Sequence, residues 1–319
     1  MAKTNMKGFQ PFPYQGSKRK IAPQILPYLP DDAARLVEPF AGSAAVSLRA
    51  LVEDRAERVL LNDVNEPLVA LWREIVHRPE RLADAYETLW HEQLGDRRAF
   101  YDRIRDRFNE ERRPDHLLYL LARCVKASVR YNTKGEFNQS PDNRRKGTRP
   151  KTMRKRIRSA AHLLQGRAEL SSKDYRETLA EAASQDVVYL DPPYQGVCAD
   201  RDPRYLEGVD FDSFTEALAD MNRRDVAFIL SYDGRTGERE YGQALPESLA
   251  LKHVEIDAGR SSQATLLGKD ETTYESLYLS PALVQRSSDP KPAAASTDQQ
   301  LAFFDVWESR STPTPSASD

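Results

Sequence analysis

Residues 186–196 read DVVYLDPPYQG, and this stretch joins a buried strand to an unusual ending. The residues at 187–190 are apolar or aromatic, which is the composition of a strand buried in a sheet. An acid, Asp191, follows, then two prolines that have no backbone N–H to donate, and then the ring of Tyr194. The strand is therefore predicted to end in a rigid segment that presents a carboxylate, carbonyl groups and a flat ring at the edge of the sheet.

Strands and helices alternate along most of the chain, which is typical of an α/β protein with one open sheet. The predicted strands are 35–40, 58–65, 168–170, 186–190, 226–232, 251–256 and 275–281, and the predicted helices among them are 21–29, 43–53, 151–164, 175–183 and 213–222. Between 66 and 128 the pattern is of successive amphipathic helices. We therefore predict a discontinuous α/β domain, 1–65 and 166–285, a helical insertion, 66–165, and a tail of disordered composition, 286–319.

The composition indicates the general class of the protein, but its overall charge does not indicate a binding partner. The 47 Lys and Arg residues nearly balance the 49 Asp and Glu residues. Cys124 and Cys198 are the only cysteines, and no metal-ligand spacing occurs among the cysteines and histidines, so we expect no metal and a reducing cytoplasm. The longest strongly apolar run, 117–122, is far too short to span a bilayer. These features predict a soluble intracellular protein.

The segment Asp191 to Tyr194 suits the activation of an exocyclic amino group on a nucleobase. Such an amino group is a poor nucleophile because its lone pair is conjugated into the ring. The Asp191 carboxylate and the Pro192 carbonyl can each accept one amino hydrogen, which frees the lone pair, and the prolines hold both acceptors in place. Tyr194 offers a face on which the base can stack. The alternative is a rigid turn in which Tyr194 packs against the edge of the sheet.

Two earlier strand ends favour a nucleotide-type site. In LVEPFAGSAAV, 36–46, small residues between a strand and a helix allow a ligand to approach the backbone near the helix N-terminus. The next predicted strand ends at LNDVN, 61–65, which places Asp63 where α/β proteins bind the ribose hydroxyls of a cofactor. Asp63 is equally compatible with the N-cap of the helix that follows.

Taken together, these motifs resemble the Dam-type DNA adenine-N6 methyltransferase family. Its motifs occur here in the family's order, as YQGSKRK at 14–20, EPFAGSAAV at 38–46, LNDVN at 61–65, RYNTKGEFN at 130–138 and DPPY at 191–194. The resemblance implies a Rossmann-like methyltransferase sheet with a helical DNA-recognition insertion, S-adenosyl-L-methionine as methyl donor and double-stranded DNA as substrate. It also implies that the target adenine is flipped out of the duplex and that the enzyme is cytoplasmic and associated with the nucleoid.

The resemblance also assigns residues. The catalytic residues would be Asp191, Pro192 and Tyr194, and the cofactor-binding residues would be Tyr14, Lys18, Glu38, Phe40, Gly42, Asp63, Asp174 and Tyr175. Among these, Asp63 would hold the ribose, and Asp174 would accept from the amino group of the cofactor's adenine. The family usually has Gly two residues after the Gly42 position, where this chain has Ala44. A methyl group there is tolerable in a helix but would press on backbone that lies near the cofactor.

DNA contact is predicted for the insertion. Residues 144–158 contain nine Lys or Arg and no acid, and they lie beside the polar segment 130–143. The alternative is a solvated charged face, but a basic run beside polar and aromatic residues favours phosphate contact with base recognition nearby. The predicted DNA-binding residues are Tyr131, Asn132, Lys134, Asn138, Arg144, Arg145, Arg154 and Lys155. Residues 139–145, QSPDNRR, differ from the segment of GATC-methylating members, so GATC specificity does not follow.

Other functions and partners stay open on the sequence alone. An RNA base N-methyltransferase, a catalytically silent DNA-binding relative and a cytosine-N4 methyltransferase all use related patterns. A cognate restriction endonuclease is a possible partner. In the tail, Gln300 to Phe304 read QLAFF, which resembles the pentapeptide that binds the bacterial sliding clamp, although an apolar remnant without function is the alternative.

Overall fold

The fold is built on one twisted sheet at the centre of a computed structural model, which describes residues 8–31, 33–193, 209–236, 239–241, 243–260 and 272–288. Within these residues, eight strands belong to a single sheet. They are β1 (Arg35–Glu38), β2 (Arg58–Asn62), β3 (Ala168–Ser171), β4 (Val187–Leu190), β5 (Ala227–Thr236), β6 (Arg239–Tyr241), β7 (Lys252–Arg260) and β8 (Thr272–Leu279).

Seven strands follow the order β3-β2-β1-β4-β5-β8-β7, and β6 pairs with β5. The first five strands in this order, β3, β2, β1, β4 and β5, are all parallel to one another. β8 runs antiparallel to both β5 and β7. The chain order reverses between β1 and β4, which is the switch point where open α/β sheets bind ligands at the carboxyl ends of their strands. The apolar run at 187–190 is buried throughout, as expected for a strand covered on both faces.

The described part of the chain contains ten α-helices. They are α1 (Ala22–Ile25), α2 (Ala45–Val52), α3 (Glu66–His77), α4 (Pro79–Glu92), α5 (Arg97–Glu111), α6 (Pro114–Arg123), α7 (Pro150–Leu164), α8 (Tyr175–Glu181), α9 (Phe211–Arg223) and α10 (Pro281–Ser288). The helices α4, α6 and α7 begin at a proline, a residue whose fixed φ suits the first helical position. Asp96, Asp174 and Asp210 cap α5, α8 and α9 through their carboxylates.

The helices from α3 to α7 form the insertion between β2 and β3, so the helical character predicted for this region is confirmed. They pack on one another, and α7 also contacts α2 while α3 contacts β3. Large aromatic side chains fill the space between these helices and are almost fully buried, among them Trp72, Tyr86, Tyr101, Phe108 and Tyr119. The insertion is thus anchored to the sheet domain by its first and last helices. The described residues belong to one compact unit that ends at Ser288.

The C-terminal end of the described chain corrects one boundary. The tail of disordered composition was predicted to begin at residue 286, but α10 continues to Ser288. The reason is a long-range contact, because the Arg286 guanidinium donates to the backbone oxygen of Asp186 at 3.0 Å and to that of Ser184 at 3.3 Å. Arg286 thereby ties α10 to the turn before β4. The short strand β6 was also not predicted from the sequence.

None of the helices in the described ranges is long and apolar enough to cross a membrane.

Candidate active site

A pocket of about 330 Å³ lies at the carboxyl ends of β1, β2 and β4, beside the switch point of the sheet. This volume falls in the range of small-molecule sites. The sequence-predicted residues that line it are Tyr14, Lys18, Glu38, Phe40, Gly42, Asp63, Asp174, Tyr175, Tyr131, Asp191 and Pro192. The structure therefore brings together every predicted cofactor-binding residue and two of the three predicted catalytic residues. The third, Tyr194, lies outside the described residues.

The turn after β1 is held by two side chains, those of Asp63 after β2 and Trp72 in α3. Gly42 has φ +48°, and its N–H donates to Asp63 Oδ2 at 2.9 Å. The other oxygen, Asp63 Oδ1, accepts from the Asn65 N–H at 3.0 Å. The indole N–H of Trp72, in α3, donates to the Gly42 carbonyl at 3.0 Å. Nothing in the sequence distinguishes Trp72 from the other core positions of an amphipathic helix, so this contact was not predicted.

Asp63 does not cap α3, since the N-cap of that helix is Asn65. The alternative interpretation of Asp63 as a simple N-cap is therefore wrong. Burial raises the pKa of Asp63, and the hydrogen bonds from the Asn65 and Gly42 N–H groups act against that rise. The carboxylate fixes the backbone of the turn and of the segment after β2 at the same time. This role positions the pocket wall whatever ligand the pocket receives.

Ala44 adopts the left-handed conformation, with φ +48° and ψ +38°, and it is fully buried. This residue was predicted to lie inside a helix, but α2 begins one residue later, at Ala45. The departure from the family's Gly therefore falls at a position where a Cβ atom crowds the next carbonyl oxygen, at a cost of about 1–2 kcal/mol. Ala44 thus keeps the backbone conformation that a glycine would adopt, and its Cβ atom makes that conformation strained.

Asn62, the last residue of β2, ties the ends of three strands together. Its side-chain NH₂ group donates to the carbonyl oxygens of Pro39 and Lys173, both at 3.0 Å. Its carbonyl oxygen Oδ1 accepts from the Lys173 N–H at 2.9 Å. Asn62 is fully buried, and its bond to Pro39 is buried with it, while the two bonds with Lys173 are partly buried. The motif LNDVN predicted a role for Asp63, but nothing in the sequence singled out Asn62.

Aromatic rings line the pocket beside β3. The rings of Phe40 and Tyr175 lie 5.3 Å apart at an interplanar angle of 32°, and Tyr175 also contacts Phe214 at 5.9 Å. Asp174 precedes Tyr175 and accepts from the backbone N–H of Arg176 at 2.9 Å and from its guanidinium at 2.8 Å. The hydrogen bond from the Arg176 side chain lowers the pKa of Asp174. The Asp174 carboxylate and the Tyr175 ring therefore lie side by side in the lining of the pocket.

At the end of β4, Asp191 contacts Lys18 from the N-terminal turn. The Lys18 ammonium lies 3.1 Å from Asp191 Oδ1 and 2.5 Å from Glu275 Oε1, and Ser231 Oγ donates to the same Glu275 oxygen at 2.5 Å. Burial by itself would lower the pKa of Lys18, but the charges of Asp191 and Glu275 outweigh it, so the pKa is raised. Lys18 is therefore a permanent cation between two carboxylates. Glu275 and Ser231 were not singled out from the sequence.

Glu38, the last residue of β1, is a second carboxyl group beside Asp191. It is 2% exposed, and its Oε1 accepts from the Ser47 N–H at 2.6 Å. Burial raises the pKa of Glu38 to about 8, with the hydrogen bonds from Ser47 acting in the opposite direction and the charge of Asp191 adding to the rise. Glu38 consequently holds its proton at neutral pH, which limits charge repulsion with Asp191.

The predicted DNA-recognition segment forms a small hairpin, and Tyr131 at the base of the hairpin lines the pocket. Tyr131 is 5% exposed, and its hydroxyl donates to Asn65 Oδ1 at 3.1 Å. A bridge pairs Tyr131 with Phe137, and their rings meet edge to face. The structure therefore places Tyr131 on the wall of the pocket, and its contact with bases stays a prediction.

The tip of the hairpin is organised by Asn132. Its side-chain oxygen accepts from the backbone N–H groups of Lys134 and Glu136, both at 2.9 Å. This arrangement holds the backbone in a tight turn. The side chains of Lys134 and Asn138 are exposed. These two residues are placed where a macromolecule can reach them.

The basic residues predicted to bind DNA fall into two groups. Arg154, in α7, contacts three carboxylates of α4, those of Glu80 at 3.1 Å, Asp84 at 2.6 Å and Glu87 at 2.7 Å. Arg158 contacts Glu80 at 2.6 Å. These two arginines hold α7 against α4.

The second group is exposed. Arg144 and Arg145 are exposed and share Asp142 as an ionic partner, at 3.4 and 3.1 Å. Lys155 is exposed on α7. The basic run is continuous in the sequence, but acidic residues of α4 hold Arg154 and Arg158 against that helix.

A seven-strand path with this order and a pocket at its switch point is consistent with a Rossmann-like methyltransferase fold, and the fold class predicted from the sequence is confirmed. A family model described as D12 class N6 adenine-specific DNA methyltransferase matches residues 14–261. The chain belongs to this family, and the resemblance to the Dam-type enzymes is confirmed.

Individual relatives agree with this assignment. The retron Ec67 DNA adenine methylase of Escherichia coli is 30% identical over 272 residues, which are 79% of this chain and 87% of that protein. The DNA N-6-adenine-methyltransferase of Escherichia phage P1 is 28% identical over 241 residues, 72% of this chain and 30% of that protein. The type II methyltransferase M1.LlaDCHI of Lactococcus lactis subsp. cremoris is 29% identical over 202 residues, 60% of this chain and 67% of that protein. The chain thus spans less than a third of the phage protein and most of the retron protein.

Proposed function

We propose that this protein transfers a methyl group from S-adenosyl-L-methionine to the N6 amino group of an adenine flipped out of duplex DNA. The observation that carries the proposal is the position of Asp191 and Pro192. Both line the pocket formed by the predicted cofactor residues, and Asp191 follows directly on the buried strand β4. A reacting amino group held by these two residues therefore lies beside whatever occupies the pocket.

The donor set of the pocket fits this cofactor. Carboxyl groups outnumber cations in the described lining, which suits a ligand that carries a sulfonium and an ammonium group. The ring pair Phe40 and Tyr175 suits an adenine, and Asp174 suits its amino group. A Cβ atom at Gly42 would meet Tyr14 Cε1 at 3.0 Å, so the absence of a side chain at Gly42 lets the turn and the Tyr14 ring pack closely together on the pocket wall. When bound, the cofactor supplies an electrophilic methyl group.

The chain's own residues prepare the amino nitrogen. The Asp191 carboxylate and the Pro192 carbonyl each accept one amino hydrogen, which localises the nitrogen lone pair. Because Pro192 and the following proline have fixed φ angles, the two acceptors need little reorganisation. After methyl transfer the nitrogen loses a proton through Asp191 or to water. Tyr194, which lies outside the described residues, is proposed to stack on the flipped base.

The reaction is tested with purified chain, cofactor labelled in its methyl group, and duplex DNA digested afterwards to nucleosides. We expect the label in N6-methyl-2′-deoxyadenosine. We expect no transfer of the label to ribosomal RNA. Label in N4-methylcytosine would show that the target base is wrong. Preferred labelling of the RNA would favour the RNA enzyme, and cofactor binding without transfer to either would favour a catalytically silent relative.

The two groups of basic residues give a prediction about DNA affinity. Replacing Lys151 and Lys155, both exposed on α7, by Ala should lower the slope of log affinity against log salt by roughly one per phosphate contact removed. Replacing Arg154 and Arg158 by Ala removes the same charge but mainly separates α7 from α4, so it should lower the melting temperature and change the slope less. Equal changes of slope, measured by fluorescence anisotropy across a salt series, would show that the paired arginines also grip phosphates.

Two partners remain proposals. The relative from Lactococcus lactis is named a type II methyltransferase, which supports a cognate restriction endonuclease for this chain. The clamp-like pentapeptide Gln300 to Phe304 lies outside the described residues. A binding assay of the full chain and of residues 1–288 against purified sliding clamp tests it, since only the full chain should bind.

A further inference from the structure

Glu275 does not line the pocket, yet it is linked to Asp191 through one shared cation. It lies in β8, and its Oε1 is 2.5 Å from the Lys18 ammonium, which lies 3.1 Å from Asp191 Oδ1 on the other side. Ser231, fully buried in β5, donates to the same Glu275 oxygen at 2.5 Å. Four residues from four separate segments of the chain therefore form one continuous polar network.

The network is largely shielded from solvent. The side chains of Lys18, Glu275 and Asp191 are 11%, 14% and 21% exposed. Charges this close interact strongly when water is mostly excluded. One ammonium is shared by two carboxylates, so the three ionised groups together carry a net negative charge. If Glu275 were neutral, the charges of Lys18 and Asp191 would cancel, and these three groups together would have no net charge.

We infer that Glu275 is a positioning residue for the methyl-transfer step, acting on Asp191 through Lys18. This inference rests on the proposed function. The amino nitrogen of the target base becomes positively charged as it attacks the methyl group, before it loses its proton. A carboxylate that stabilises this charge must keep its own charge available. Glu275 draws Lys18 away from an exclusive pair with Asp191, and Ser231 holds Glu275 in the orientation that does so.

The test is Glu275→Gln in the full chain, which keeps the size of the side chain and removes its charge. Single-turnover methyl transfer to duplex DNA should slow by about tenfold, which corresponds to a rise in the barrier of about 1.4 kcal/mol. The dissociation constants for S-adenosyl-L-methionine and for DNA should stay within about threefold, since these ligands are bound by other residues. Glu275→Asp, which restores the charge, should recover a large part of the rate.

The matched control is Glu255→Gln, which removes an exposed carboxylate from β7, the strand paired with β8. Its transfer rate should equal that of the unchanged chain. Three results would overturn the role of Glu275: an unchanged rate in Glu275→Gln, a rate loss matched by an equal loss of cofactor and DNA affinity, or no recovery in Glu275→Asp.

A second variant covers the case in which Glu275→Gln does not fold, as judged by circular dichroism and melting temperature. Ser231→Ala removes the hydrogen bond to Glu275 and leaves every charge in place. It should slow transfer by about threefold without weakening cofactor binding, and an unchanged rate would overturn the inference. Absence of transfer by the unchanged chain, in contrast, would refute the proposed function itself.

Discussion

The variant Asp191→Ala should lose methyl transfer by about a thousandfold or more while binding duplex DNA almost as tightly as the unchanged chain. Asp191 lies at the end of β4 and lines the pocket, where it is predicted to act on the amino group of the target base. The variant leaves the Lys18 ammonium with Glu275 as a partner, so the cation is not stranded. Transfer is measured in single turnover with labelled cofactor, and DNA affinity by anisotropy.

Two companion variants sharpen this prediction. Asp191→Asn keeps the shape of the side chain and removes its charge, and it should retain only a small remnant of activity. Asp212→Ala removes an exposed acid from α9 and should behave like the unchanged chain. If Asp191→Ala kept its transfer rate and instead lost DNA binding, the residue would contact the duplex and the mechanism would be wrong.

The second large effect is expected at the turn after β1. Gly42→Ala should weaken cofactor binding by at least about tenfold, which corresponds to about 1.4 kcal/mol. The residue has φ +48°, and a Cβ atom there would lie 3.0 Å from Tyr14 Cε1, so the Tyr14 ring and the turn must move apart. Both belong to the pocket wall. Isothermal titration calorimetry with S-adenosyl-L-methionine measures the change directly.

Gly166→Ala separates backbone strain from steric contact. Gly166 also has positive φ, +73°, but a Cβ atom there would meet nothing within 4 Å. This variant should lower the melting temperature and leave cofactor affinity unchanged. Equal losses of affinity in the two variants would mean that general destabilisation, and not the contact with Tyr14, weakens the site.

The sequence was sufficient to predict which backbone segments meet at the pocket. Parallel strands place their carboxyl ends at one edge, so the residues after β1, β2 and β4 had to converge once those strands were recognised. Ring and carboxylate positions such as Tyr175 and Asp174 followed from the family motif. The convergence of these residues is what the lining of the pocket shows.

Partners that are distant in the chain could not be predicted in this way. Glu275 reaches Lys18 across 257 positions, and Arg154 meets Glu80 across 74. No periodic pattern in the sequence predicts such pairs, because each pair depends on how helices and strands pack against one another. The burial of Tyr131 was missed for the same reason. An aromatic residue in a polar segment indicates an exposed ring unless the partner, here Asn65, is known.

The contacts of Trp72 and Tyr131 limit how this enzyme can be re-engineered. Both residues belong to the segment between β2 and β3, yet Trp72 holds the Gly42 carbonyl and Tyr131 holds Asn65. A chimera that exchanged residues 66–165 for those of a relative, in order to transfer its recognition sequence, would import new neighbours for the cofactor pocket. Grafts confined to the exposed hairpin tip and to the basic loop at 143–149 would keep both hydrogen bonds. Modular exchange is therefore better designed around loops than around the whole insertion.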